Sequence, residues 1–147
     1  MKPLDLNTLL YLVGAISLLF ALIMFLFYKL TPTIKGPLQW SLGSFLIVIG
    51  SLLFSMQDIL PEFMVYVVSG SFAIMGTTYY WAGIRAYKDL QINRFILYGF
   101  VNLQFFLGSL FYLVLPMPNV RMIIYSVISV IIFLFIFSVL IWVKPIQ

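Results

Sequence analysis

The chain contains no cysteine and no histidine, and its only acidic residues are Asp5, Asp58, Glu62 and Asp89. Without thiols or imidazoles it forms no disulfide and does no thiolate chemistry. It also offers no zinc site of the usual ligand set, no histidine-held haem, and no side chain that titrates unperturbed near neutral pH. Charge of either sign is scarce: 8% of 147 residues, where about 25% is usual in a soluble domain. A chain that is 64% hydrophobic and so sparsely charged cannot cover its apolar surface in water, and reads as an integral membrane protein. The net charge is +4, but the eight cations are scattered between the apolar runs. The basic balance therefore reflects orientation in a bilayer rather than a nucleic-acid footprint, and no nucleic-acid partner is expected.

Five apolar runs predict an all-α bundle of five transmembrane helices forming one domain over residues 1–147, with spans near 9–28, 38–56, 63–84, 95–115 and 122–143. About 20 residues of helix rise roughly 30 Å, one hydrocarbon thickness. In the polar lead before the first run, Asp5, Asn7 or Thr8 can cap a helix. That run is too long for a signal-peptide core and lacks a small-residue cleavage site, so it is expected to be retained. Lys29 to Pro37 breaks the helix with two prolines and a glycine, and Pro37 suits the first turn of the next one. Gln57, Asp58, Leu60, Pro61 and Glu62 make a short acidic turn, so the second and third spans are expected to pair antiparallel. Pro116 and Pro118 are expected in the turn before the fifth span. With few small residues, that span is expected at the periphery.

Orientation follows from the cations. With the N-terminus outside and the C-terminus in the cytoplasm, Lys29, Lys35, Arg85, Lys88, Arg94 and Lys144 all lie inside, and only Lys2 and Arg121 lie outside. Trp40, Trp81 and Trp142 then fall at the cytoplasmic interface. An odd number of spans argues against a transporter built from two inverted halves.

The packing lines are drawn in small residues. Ser69, Ala73, Gly76 and Gly83 stack on one side of the third span, Gly43 and Gly50 lie seven apart on the second, and Gly14, Ser17 and Ala21 share a face of the first. Such lines let helix backbones approach where lipid gives hydrophobicity no net drive. No ionisable group lies within a span, which removes the usual equipment of proton relays and ion-coupled carriers. Asn102 and Gln104 are the most polar intramembrane positions. They serve as interhelical glue or, on the sharper reading, as a site that reads a ligand. Tyr79, Tyr80 and Trp81 read as an aromatic belt rather than a ligand platform. The basic loop with Arg85, Lys88 and Arg94 marks the cytoplasmic side and has the chemistry to hold anionic headgroups. Asp58 and Glu62 are too few for a calcium cage. No nucleophile is paired with a base and no phosphate-binding glycine loop is present, so neither catalysis nor a cofactor is expected.

Trp40 with Gly43 and Gly50, then Leu60-Pro61, then a small-residue helix ending Gly83-Ile84-Arg85-Ala86-Tyr87, and later Arg121 opening a helix with Ser126, form a pattern. It resembles the N-terminal multi-helix membrane sensor region that precedes GGDEF diguanylate cyclase domains in bacteria, over Leu4 to Phe135. In that family a following cytoplasmic domain condenses two GTP into cyclic di-GMP as a dimer. The chain has no GGDEF motif, and Arg85-Ala86 stands where the family often has two basic residues. The resemblance therefore implies sensing, anchoring and dimerisation in the bacterial inner membrane, with no enzyme activity in these residues. Its expected partners are the bilayer, a second copy or another membrane protein, and a small ligand of unread identity. The rival reading is a small permease or an accessory subunit of a larger membrane complex, with Asn102 and Gln104 lining a midplane path.

Overall fold

In a dry medium an apolar segment must satisfy its own backbone, and helix does so within the segment. The computed structural model describes residues 6–114 and 118–142, and these fold into α1 (Leu6–Leu30), α2 (Pro37–Ser55), α3 (Ser69–Tyr87), α4 (Arg94–Leu113) and α5 (Pro118–Trp142). There is no strand among the described residues. A π-helical turn, Met64–Val68, runs unbroken into α3, so helical structure is continuous over 62–87. Four helices, α1, α2, α4 and α5, are long and apolar enough to cross a bilayer. α3 is not among them, because Ser69, Gly70, Ser71, Gly76, Thr77, Thr78, Gly83 and Arg85 dilute its apolar residues.

Helix ends follow proline and glycine. Pro37 opens α2 behind Gly36, whose φ of 116° is open to glycine and strained for other residues. Pro118 opens α5 instead of lying in the turn its sequence context predicts, because a missing N–H is harmless in the first turn of a helix. Asp5, Pro116 and Lys144 lie outside the described residues.

α3 is the middle of the bundle. α1 packs on α2, α2 on α3, α3 on both α4 and α5, and α4 on α5. α5 is therefore less peripheral than its composition suggested. It buries Ile128, Ile132 and Val139, joining Ile74 of α3 in one apolar cluster and Trp81, Ala82 and Leu97 in another. Branched side chains fill that contact where α2 uses glycine, and the far side of α5, with Phe133, Leu134 and Phe137, stays exposed. α4 turns Leu97, Gln104 and Gly108 inward.

α3 stops in a tight C-terminal motif. Asp89 takes a left-handed φ of 55°, its N–H reaches the Ala86 carbonyl, and the Leu90 N–H reaches that of Arg85. This satisfies two carbonyls that the helix end would leave open, and Leu90 folds back onto the Trp81 cluster.

Candidate functional site

Three close approaches, each seven residues from the next, hold α2 against α3. A Cβ on Gly50 would lie 2.9 Å from the Ser69 carbonyl oxygen, one on Gly43 2.7 Å from that of Gly76, and one on Gly36 2.8 Å from that of Gly83. Gly83 in turn lies under the Trp40 indole, where an added Cβ would come within 2.4 Å of the ring. No side chain fits between these backbones. Gly14 belongs to a different contact, between α1 and α2, where an added Cβ would lie 3.1 Å from the Ser51 hydroxyl oxygen.

Hydrogen bonds cross the same contacts. Ser41 donates to the Ala21 carbonyl of α1 (2.8 Å), the Trp40 indole N–H donates to the Tyr80 carbonyl (3.3 Å), and the Ser44 and Tyr80 hydroxyls pair at 2.6 Å. Thr77 and Thr78 bond back to their own helix. The aromatic-belt reading of Tyr79, Tyr80 and Trp81 is corrected here. Trp81 is 3% exposed, Tyr80 bonds across to α2, and Tyr79 is partly buried against the Trp81 cluster. A belt residue needs a lipid-facing helix, and α3 is enclosed by neighbours.

Beside the Gly50–Ser69 contact lies a cavity of about 450 Å³ between α1, α2, α3 and α5, lined by Gly50, Ser51, Tyr66, Ser69, Gly70 and Tyr125 among others. Tyr66 comes from the π turn and meets Phe54 edge-on at 5.8 Å. Turns of this kind are often found at functional sites, since the extra residue re-aims the side chains around it. The lining is mostly apolar with hydroxyls at intervals, the make-up of a site for an apolar or amphiphilic ligand.

Asn102 and Gln104 do not form one site. They are two apart on a helix and so point to different sides. Asn102 is exposed, whereas Gln104 is 3% exposed, with its amide nitrogen 3.2 Å from where a Gly70 Cβ would stand and its Oε1 without a hydrogen-bond partner. Only Gln104 is placed as a packing or sensing amide, and it approaches α3 from behind the cavity wall.

Lys29, Lys35, Arg85, Lys88 and Arg94 share one end of the bundle, at the C-terminal ends of α1 and α3 and the start of α2 and α4, whereas Arg121 stands in the first turn of α5 at the other end. Two of the three basic-loop residues turn inward. Arg85 stacks on Trp81 at 5.1 Å and its Nε donates to the Gln91 carbonyl, while the Lys88 ammonium donates to the carbonyls of Val139 (2.7 Å) and Leu140 (3.0 Å) in the last turn of α5. Carbonyls in a last helical turn lack partners of their own, and a cation there also meets the negative end of the helix dipole. Lys88 thus ties the end of α3 to the end of α5.

No family model, curated protein or solved structure matches this chain.

Several of these features escape sequence reasoning. Gly36 lies seven residues before Gly43 and so carried a readable signal, masked by Pro37, which makes the segment look like a turn only. The π turn and the role of Tyr125 have no sequence signal that we can name. Lys88 looks like any orientation-setting cation until its partner on α5 is known.

Proposed function

We propose that the chain is a non-catalytic sensory or anchoring module that crosses a bacterial inner membrane five times, with its N-terminus outside and its C-terminus in the cytoplasm. The resemblance to diguanylate cyclase input regions and the cation bias support this reading. α3 serves as the fifth crossing although it is the least apolar. Its helical path over 62–87 rises roughly 39 Å, and its small polar residues face helices rather than lipid.

The observation that carries the proposal is the Lys88 bond to Val139 and Leu140. A ligand in the cavity lined by Tyr66, Gly70 and Tyr125 touches α3 near one end, and Lys88 couples its other end to the helix that leaves the bundle toward the C-terminus. A ligand that favours one packing of α2 on α3 would then shift the exit of α5. The permease rival needs a path lined by Asn102 and Gln104, and neither residue lines the cavity.

A chimera tests the coupling. A diguanylate cyclase catalytic domain is joined after Gln147, and cyclic dinucleotide output is measured at matched protein level. Lys88→Met should change output by about fivefold, the lower end of typical coupling between sites. Equal output from the two chimeras would remove the sensory reading.

A further inference from the structure

A second cleft, of about 720 Å³, opens at the cationic end between α2, α3 and α4. Its polar lining includes Lys35, Gln39, Asp89, Gln91 and Arg94 with the tyrosines Tyr79 and Tyr98, and its apolar lining includes the buried Ala82, Ala86 and Leu97. We propose that this cleft binds a phosphate ester that also carries a free hydroxyl, the chemistry of a glycerol-type phospholipid headgroup or of a soluble polyol phosphate. The proposal does not depend on the sensory reading or on which side of the membrane this end faces.

Charge is the first argument. Lys35 pairs with Asp89 at 2.5 Å, and Arg94 has no ion pair among the described residues, which leaves the cleft one positive charge in excess. Arg94 is also the first residue of α4, where the helix dipole disfavours a cation. An anion held beside it would turn that repulsion into attraction, because the same helix end favours negative charge.

The uncharged lining narrows the ligand. The Oε1 of Gln39 is buried without a hydrogen-bond partner, and a buried acceptor is costly until a donor meets it. A phosphate dianion has no donor to offer; a neighbouring hydroxyl has one. The alanines take up little space, and Leu97 gives the lining an apolar surface suited to the carbon backbone of such an ester.

The test uses the detergent-purified full chain. Native mass spectrometry measures retention of phosphatidylglycerol against phosphatidylcholine, and titration calorimetry measures glycerol 3-phosphate in solution. Binding of the lipid alone assigns a headgroup site, and binding of the soluble ester alone assigns a soluble ligand; both support a phosphate site. Arg94→Gln should weaken binding about fivefold, as expected for one cation at a membrane surface. Lys29→Gln, which removes an equal charge outside the cleft, should leave it unchanged. Asp89→Asn should tighten it by freeing Lys35. Gln39→Leu should abolish any preference for phosphatidylglycerol over phosphatidylmethanol, which lacks the hydroxyls. Failure of both probes to bind, or equal losses in the Arg94 and Lys29 variants, would overturn the site. If Arg94→Gln does not elute as folded protein, Asp89→Asn decides, and unchanged affinity there overturns the proposal.

Discussion

Gly43 and Gly76 face each other so closely that a methyl group on either would lie within 2.7 Å of the other's carbonyl oxygen. The obstacle is backbone, which cannot rotate away as a side chain can. Gly43→Ala or Gly76→Ala must therefore push α2 and α3 apart, at a cost of about 2 kcal/mol each, as for overpacking a tight core. The double variant should cost less than twice that, since one separation relieves both clashes. Gly99 has nothing within 4 Å, so Gly99→Ala should stabilise by up to about 1 kcal/mol through helix propensity alone. Denaturation in mixed detergent micelles measures all four, and Gly76→Ala proving as stable as the unaltered chain would refute the tight contact.

Ser41 binds α1 to α2 through a single buried hydrogen bond to the Ala21 carbonyl. Interhelical bonds of this type are worth about 0.6 kcal/mol on average in a membrane protein. Ser41→Ala should cost roughly that amount and should raise protease sensitivity in the Leu30–Gly36 segment before the rest of the bundle is affected. A loss of several kcal/mol would mean that α1 is held more rigidly than its contacts imply.

Much of this arrangement is written in residue spacing. The five apolar runs, the antiparallel turn around Asp58, and the small residues at Gly43, Gly50, Ser69, Gly76 and Gly83 all follow from helical periodicity, and the structure brings those small residues face to face. What spacing cannot supply is which helix becomes the centre. Trp81 read as an interface residue because it closes an apolar run. It is buried because α2, α4 and α5 all gather on α3. Asn102 and Gln104 stand two apart on one helix and so diverge, a consequence of helical spacing alone. The cavity depends on a π turn and on Tyr125 arriving from a distant helix, neither of which local pattern encodes.

Asp89 combines two opposing effects. Its left-handed backbone favours glycine by about 1 kcal/mol, whereas its exposed pair with Lys35 contributes no more than about 1 kcal/mol. Asp89→Gly should therefore leave stability nearly unchanged. Asp89→Val loses the pair and places a branched residue at positive φ, so it should cost about 2 kcal/mol. Thermal denaturation in detergent distinguishes them, and equal losses in both variants would mean that the ion pair outweighs the backbone.

The proposed crossing of α3 would set the acidic turn and the basic loop on opposite sides of the membrane. The chain has no cysteine of its own, so single replacements at Asp58 and Gln91, both exposed, can be labelled without background. In intact cells a membrane-impermeant maleimide should label Asp58→Cys, and should reach Gln91→Cys only after permeabilisation. Labelling of both positions from the same side would contradict the crossing of α3, and with it the five-span module.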